Sequence, residues 1–152
     1  MIKISSLKKL VTDSMAIDLG TANVIIAVKG RGIVVDEPSL VAVNEITEEI
    51  VAFGQEAADM RGREGRDITV RAPLMGGVVA DFERTKKMLA HFVKKAKTGG
   101  SNISIQAVMS MVSDVTHVEQ RALFHAAEEA HQHGFQLQNL REKQWTRMQF
   151  PC

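Results

Sequence analysis

Met15-Ala16-Ile17-Asp18-Leu19-Gly20-Thr21-Ala22-Asn23-Val24-Ile25-Ile26-Ala27-Val28 reads as a strand, a tight polar turn and a second strand. Met15 to Ile17 is apolar and runs directly into Asp18. Gly20 has no Cβ, so the backbone can turn sharply there and approach a ligand closely. Thr21 and Asn23 add short hydrogen-bonding side chains to successive backbone N–H groups, a composition that suits an anion-binding concavity. Val24 to Val28 is apolar and rich in β-branched residues, as a buried strand requires. A carboxylate beside bound phosphate repels it unless a cation lies between them. If the turn holds phosphates, Asp18 therefore implies a hydrated Mg²⁺, which keeps its waters and takes few carboxylates. Asp-x-Gly-Thr-x-Asn is also good hairpin-turn chemistry, and on spacing alone the plain hairpin is favoured.

The chain of 152 residues fits one domain with a real core. Its 45% hydrophobic and 24% charged content are those of a globular protein. A net charge of +1 gives no reason to expect a nucleic-acid partner. The single Cys152 has no internal disulfide partner, which fits a reducing cytosol. No apolar run is long enough to span a bilayer, and the opening residues lack a signal-peptide pattern.

Ahead of the turn, Ile4, Leu7, Leu10 and Val11 recur at helical spacing, flanked by Lys3, Lys8 and Lys9. Such a basic amphipathic segment, placed at residues 1–14, can lie in a membrane interface or dock on a core. Beyond the turn, Lys29 to Gly32 is a second turn and Ile33 to Val35 a third strand, which makes an antiparallel meander. Leu40 to Val43 and Ile50 to Phe53 are two further short strands, Gly54 to Met60 a short helix, and Ile68 to Val70 another strand. Arg61, Arg63 and Arg66 alternate with Gly62, Glu64 and Gly65 in a solvated surface loop. Asp81 offers an N-cap to a helix whose apolar face is Phe82, Thr85, Met88, Leu89, Phe92, Val93 and Ala96, with Gly99-Gly100 as its stop. His91 reads as a surface residue. Ile103 to Met111 is a buried strand. Thr116 and Glu119 form a capping box opening a helix that runs to about Ala130.

Ile17-Asp18-Leu19-Gly20-Thr21-Ala22-Asn23 resembles the first phosphate loop of the actin-like ATPases, and the Ala22-Asn23 ending is similar to that of the bacterial MreB-like family. The resemblance continues in order through Val28 to Ser39, Gly54 to Ala57, Met60 to Gly62, Pro73 to Phe82 and Val115 to Ala122. It covers about Met15 to Ala130, and several motifs in register are far more specific than one loop. It selects the phosphate loop over the plain hairpin. The fold implied is α/β: a partial actin-like (ribonuclease-H-like) fold, a mixed sheet with flanking helices and a small inserted subdomain. Residues 15–39 and 74–130 would form part of the main subdomain, and residues 40–73 the insert.

The resemblance implies ATP and Mg²⁺ as cofactors. Gly20, Thr21, Ala22 and Asn23 would contact phosphate, and Asp18 the Mg²⁺ shell through water. It implies self-association into filaments, contact with inner-membrane lipids and with membrane proteins of cell-wall synthesis, and a place at the inner face of the cytoplasmic membrane. The family directs rod shape. Three positions depart from its pattern: Gly76 stands for a usual aspartate, Val112 for a proline and Asp114 for a glycine. After Ala130 the resemblance ends, and residues 131–152 show no clean strand or helical face. That change of composition suggests a frameshifted or truncated frame, or a natural variant tail. His131 and His133 lack a third ligand for a metal site. The second phosphate loop and the catalytic glutamate of the family have no counterpart here, so no residue is assigned a catalytic role. The alternatives are a non-catalytic relic and, less favoured by Asp36 to Ser39 and Val78 to Asp81, a chaperone or sugar-kinase relative.

Overall fold

Alternation of buried and half-buried residues organises the central sheet. The computed structural model describes residues 13–63, 65–97, 105–111, 115–131 and 135–139. Along β1 (Asp13–Leu19), Met15, Ile17 and Leu19 are buried, while Ser14, Ala16 and Asp18 are half-buried. β2 (Asn23–Val28) buries Val24, Ile26 and Val28 and runs antiparallel to β1, with Ile17 opposite Ile26 and Asp18 opposite Ile25. β3 (Gly32–Pro38) pairs antiparallel with β2, with a register shift between Ile26 and Ala27. This is the expected meander. A one-residue slip of β1 would carry Asp18 into the core, so the apolar pattern also fixes which face the carboxylate takes.

The insert follows. β4 (Val41–Asn44), β5 (Ile50–Phe53) and β6 (Ile68–Arg71) form a separate antiparallel sheet in the order β5-β4-β6, and α1 (Gly54–Met60) sits between β5 and β6 in sequence. β4 is buried on both faces. Val41 and Val43 enter the main core, and Ala42 packs with Ala52 and Ala57 in a small cluster of its own. The insert therefore shares a core with the main sheet. β7 (Leu74–Met75) and β8 (Val78–Val79) form a short hairpin absent from the sequence reading. Its turn residues Gly76 and Gly77 have φ of +59° and +83°, the geometry of a type I′ turn.

α2 (Phe82–Ala96) and α3 (His117–His131) complete the described elements, with β9 (Ile105–Met111) between them and β10 (Phe135–Asn139) after them. β9 is parallel to β1 and β10 is parallel to β9, giving the order β10-β9-β1-β2-β3. α2 buries Met88, Leu89, Phe92, Val93 and Ala96, and α3 buries Leu123 and Ala127, in one cluster with Met15, Ile17, Leu19 and Met109. Both caps form as expected. Asp81 accepts from the Arg84 N–H at 3.0 Å. The Glu119 N–H donates to Thr116 Oγ1 at 3.3 Å, and the Thr116 N–H donates to Glu119 Oε2 at 3.0 Å. His91 is exposed but stacks on Phe53 of the insert, ring centroids 4.2 Å apart.

Two boundaries differ from the sequence reading. β1 begins at Asp13, so the last two residues of the segment assigned to 1–14 belong to the sheet, where Asp13 pairs with Ile105 and Ser14 with Gln106. The stretch after Ala130, read as lacking a strand, contains β10, in register with β9 from Phe135 opposite Ile105 to Asn139 opposite Met109. Phe135 and Leu137 alternate with glutamines, a period-two pattern masked by its polar composition. Met1 to Val11, the Gly99-Gly100 stop, Val112, Asp114, His133 and residues 140–152 lie outside the described residues.

Glu37 ties the insert to the main sheet. Phe53, at the N-cap of α1, has no side-chain acceptor to offer. Glu37 supplies one: the Gln55 N–H donates to its Oε2 at 2.8 Å, and Lys95 Nζ of α2 donates to its Oε1 at 2.5 Å. Burial pushes the Glu37 carboxyl up, but the bonds from Lys95 and Gln55 outweigh it and hold the group below its ordinary value of 4.5. A carboxylate with a depressed folded-state pKa stabilises the fold above its unfolded-state pKa, and that contribution is lost as pH falls through the folded value. Urea midpoints measured from pH 6 down to pH 3 should therefore fall less steeply for Glu37→Gln than for the unmodified chain. Parallel profiles would show that this carboxylate is not linked to folding.

Candidate functional site

The turn between β1 and β2 is held from several sides. The Gly20 N–H donates to the Asn23 carbonyl at 3.1 Å. A Cβ on Gly20 would lie 2.8 Å from that carbonyl oxygen, closer than real Cβ atoms come. Gly20 is thus required by the closeness of the turn rather than by a left-handed backbone. Ser39, buried beyond the end of β3, grips the same turn. Its N–H donates to the Ala22 carbonyl at 2.8 Å and its Oγ donates to the Gly20 carbonyl at 2.7 Å. Thr21 Oγ1 accepts from the Gly77 N–H of the β7–β8 hairpin at 3.3 Å.

This bracing engages the Gly20, Ala22 and Asn23 carbonyls and the Gly20 N–H, and leaves two donors of the loop open. The N–H groups of Thr21 and Ala22 make no hydrogen bond among the described residues. Successive open N–H groups on a braced turn form an anion-binding nest. Asp18 stands one step back, half-buried on the sheet face opposite Met15, Ile17 and Leu19, with Ile25 and Ser110 as its register neighbours. Its carboxylate has no hydrogen bond or ion pair among the described residues. A single carboxylate beside an anion-binding turn is a donor set that suits Mg²⁺, which binds through one or two carboxylates with waters filling the rest of its shell. Among the described residues no three His, Cys, Asp or Glu side chains gather as a metal site of their own.

The five residues singled out in the sequence thus come together at one end of β1. Asn23 differs from the others in detail: its Nδ2 donates to Asp36 Oδ1 at 2.7 Å. Its side chain is engaged with β3, so any phosphate contact from Asn23 falls to its backbone N–H. Sequence reasoning missed Ser39, Gly77 and Asp36 as supports of the loop. Each reaches it from a distant point in the chain, and no local pattern marks such a contact. Gly76 sits in the hairpin turn beside Gly77.

Three antiparallel strands, a crossover helix, a parallel strand, a second helix and a further parallel strand, with the polar loop joining the first two, define a ribonuclease-H-like core of actin-like type. The family model of the MreB/Mbl protein matches residues 12–139, and the chain belongs to this family. It is 44% identical over 116 residues to the cell shape-determining protein Mbl of Bacillus subtilis (strain 168), covering 76% of this chain and 35% of that protein. It is 38% identical over 124 residues to the cell shape-determining protein MreB of Escherichia coli (strain K12), covering 78% and 36%. The crystal structure of MreB5 of Spiroplasma citri bound to ADP superposes with a TM-score of 0.67 at 35% identity, over 84% of this chain and 38% of that one. The chain spans about a third of the length of the curated relatives it matches. Among the described residues no helix is long and apolar enough to cross a membrane.

Proposed function

We propose that this chain supplies the first phosphate-binding loop of an ATP-dependent, actin-like filament protein that determines cell shape. The observation that carries the reading is the pairing of an unpartnered Asp18 with the open N–H groups of Thr21 and Ala22 on a loop braced by Ser39 and Gly77. The names of the relatives and the ADP bound to MreB5 support it. Thr21, Ala22 and Asn23 would hold phosphate oxygens through backbone N–H groups, and Gly20, without a Cβ, would let the phosphate come close to the turn. Asp18 would hold Mg²⁺ through water. The metal, when bound, neutralises charge on the phosphates. No described residue is assigned as the group that positions attacking water.

One loop gives one wall of a nucleotide site, and electrostatic terms grow only when a site closes and excludes water. The 152-residue chain is therefore expected to bind Mg-ATP with Kd near or above ~1 mM, and Asp18→Ala is expected to change this little. Grafting residues 12–139 in place of the matching segment of the Bacillus subtilis relative supplies the rest of the site. In that chimera Asp18→Ala should weaken Mg-ATP binding at least tenfold by isothermal titration. A folded chimera that ignores the substitution would remove Asp18 from the metal shell, and one that binds no nucleotide would sink the phosphate-loop reading.

The same proposal places the protein at the inner face of the cytoplasmic membrane, with wall-synthesis membrane proteins and further copies of itself as partners. Met1 to Val11 is its contact with anionic lipid. Sedimentation with phosphatidylglycerol vesicles should be lost on deleting those residues, and equal binding by both forms would rule them out as the anchor.

A further inference from the structure

An open cleft of about 470 Å³ lies where the end of β6 meets the start of α2, and none of the residues from Asp18 to Asn23 lines it. Three arginines from three elements reach it: Arg61 at the C-cap of α1, Arg71 at the end of β6 and Arg84 in the first turn of α2. Two of them are partly engaged. Arg71 donates through Nε and Nη2 to Glu45 Oε1 at 3.1 and 2.8 Å, a pair 50% and 40% exposed and so weakly held. Arg84 Nη1 pairs with Asp81 Oδ2. Two groups are left without a partner. The Arg61 guanidinium has no partner among the described residues. Arg84 Nε is buried and also has none. Pro73 and Met75 add apolar surface to the same cavity.

We propose that this cavity binds a small organic phosphate ester. Guanidinium groups meet phosphate through paired, charge-assisted hydrogen bonds, and Arg is the side chain suited to that planar fork. Arg61 brings a free fork. Arg84 brings an unmet Nε that a phosphate oxygen satisfies once the side chain turns its Nε–Nη edge to the cavity. Against three guanidinium charges stand the carboxylates of Asp81 and Glu45, so the site keeps a positive excess for the ligand. Pro73 and Met75 line the cleft beside the arginines, so an organic body on the phosphate gains apolar contact that inorganic phosphate lacks. The inference is independent of the nucleotide loop and stands or falls apart from it.

Isothermal titration of the 152-residue chain with phenyl phosphate and with inorganic phosphate tests it. Phenyl phosphate should bind at least tenfold more tightly than inorganic phosphate. Arg61→Gln and Arg84→Gln should each weaken it at least tenfold, whereas Arg121→Gln, at an exposed position on α3, should not. Arg61 is exposed and its substitution leaves the packing untouched, so it reports even if Arg84→Gln disturbs the start of α2. Vesicles of phosphatidylglycerol that sediment the chain in an Arg61-dependent manner would put the ester on a lipid headgroup. Phenyl phosphate binding without such sedimentation would put it on a free ligand. No binding of phenyl phosphate, binding indifferent to both arginine substitutions, or binding lost instead on Gly20→Val would overturn the proposal.

Discussion

Gly54→Ala is expected to lower the unfolding free energy by about 3 kcal/mol, from roughly 1–2 kcal/mol for a left-handed non-glycine residue plus roughly 1 kcal/mol for a disturbed helix cap. Gly54 opens α1 with φ +60°. A Cβ there would lie 2.5 Å from Glu37 Oε2, 3.0 Å from Phe92 Cζ and 3.1 Å from Glu37 Cβ. The methyl group therefore does two kinds of damage. It strains the backbone, and it pushes aside the carboxylate that caps α1 and pairs with Lys95. Urea unfolding followed by circular dichroism reads the loss. In the double variant Gly54→Ala with Glu37→Ala, the cost should be less than the sum of the single costs, because both substitutions disrupt one contact. A loss for Gly54→Ala below ~1 kcal/mol would mean that the turn relaxes freely and that Glu37 is no latch.

Phe92→Ala should cost more, ~3–5 kcal/mol. Phe92 is 1% exposed, and it is among the largest side chains fully enclosed by the described residues. It sits on the buried face of α2, meets the His91 ring edge-on at 5.4 Å and lies beneath Gly54. Its removal leaves a void where α2, the insert and the main core meet, and close-packed surroundings collapse only partly into such a void. The urea midpoint should fall sharply with the m-value unchanged. A cost under ~1.5 kcal/mol would show that the insert closes over the gap, so that its attachment to α2 is looser than the shared core implies.

Much of this architecture is written in periodicity. β1 alternates, β2 is an unbroken apolar run rich in β-branched residues, α2 keeps one apolar face for four turns, and Asp81, Thr116 and Glu119 are cap residues at the positions where caps form. These features depend on neighbours within a few residues, so a linear reading finds them. β7 and β8 are two residues each, too short to show any period, although Gly76-Gly77 between apolar pairs is the signal of a type I′ turn. β10 alternates in sequence, but Gln136, Gln138 and its last residue Asn139 have little strand character. At the candidate site, Asp18 and the Gly20–Asn23 turn were legible because they are contiguous. Ser39, Gly77 and Asp36 were not, since a serine after a proline or a glycine in a hairpin has no local mark of its distant partner. The arginine cavity was hidden for the same reason. Arg61 reads as part of a solvated loop until β6 and α2 bring Arg71 and Arg84 beside it.

β1 lies at the centre of its sheet, paired on one side with its immediate successor and on the other with β9. The two sides belong to different moments in the making of the protein. The β1–β2 hairpin closes within microseconds once its residues are free. β9 is synthesised only later, roughly 4–15 s after β2 at ~5–20 residues per second. During that interval the loop that would carry phosphate already has its outline, while the far edge of β1 offers unpaired backbone groups to any strand that approaches. The newborn chain is thus most exposed to mispairing with a neighbour at the strand that later becomes its best-protected one. Shielding on the ribosome matters more here than the finished sheet would suggest.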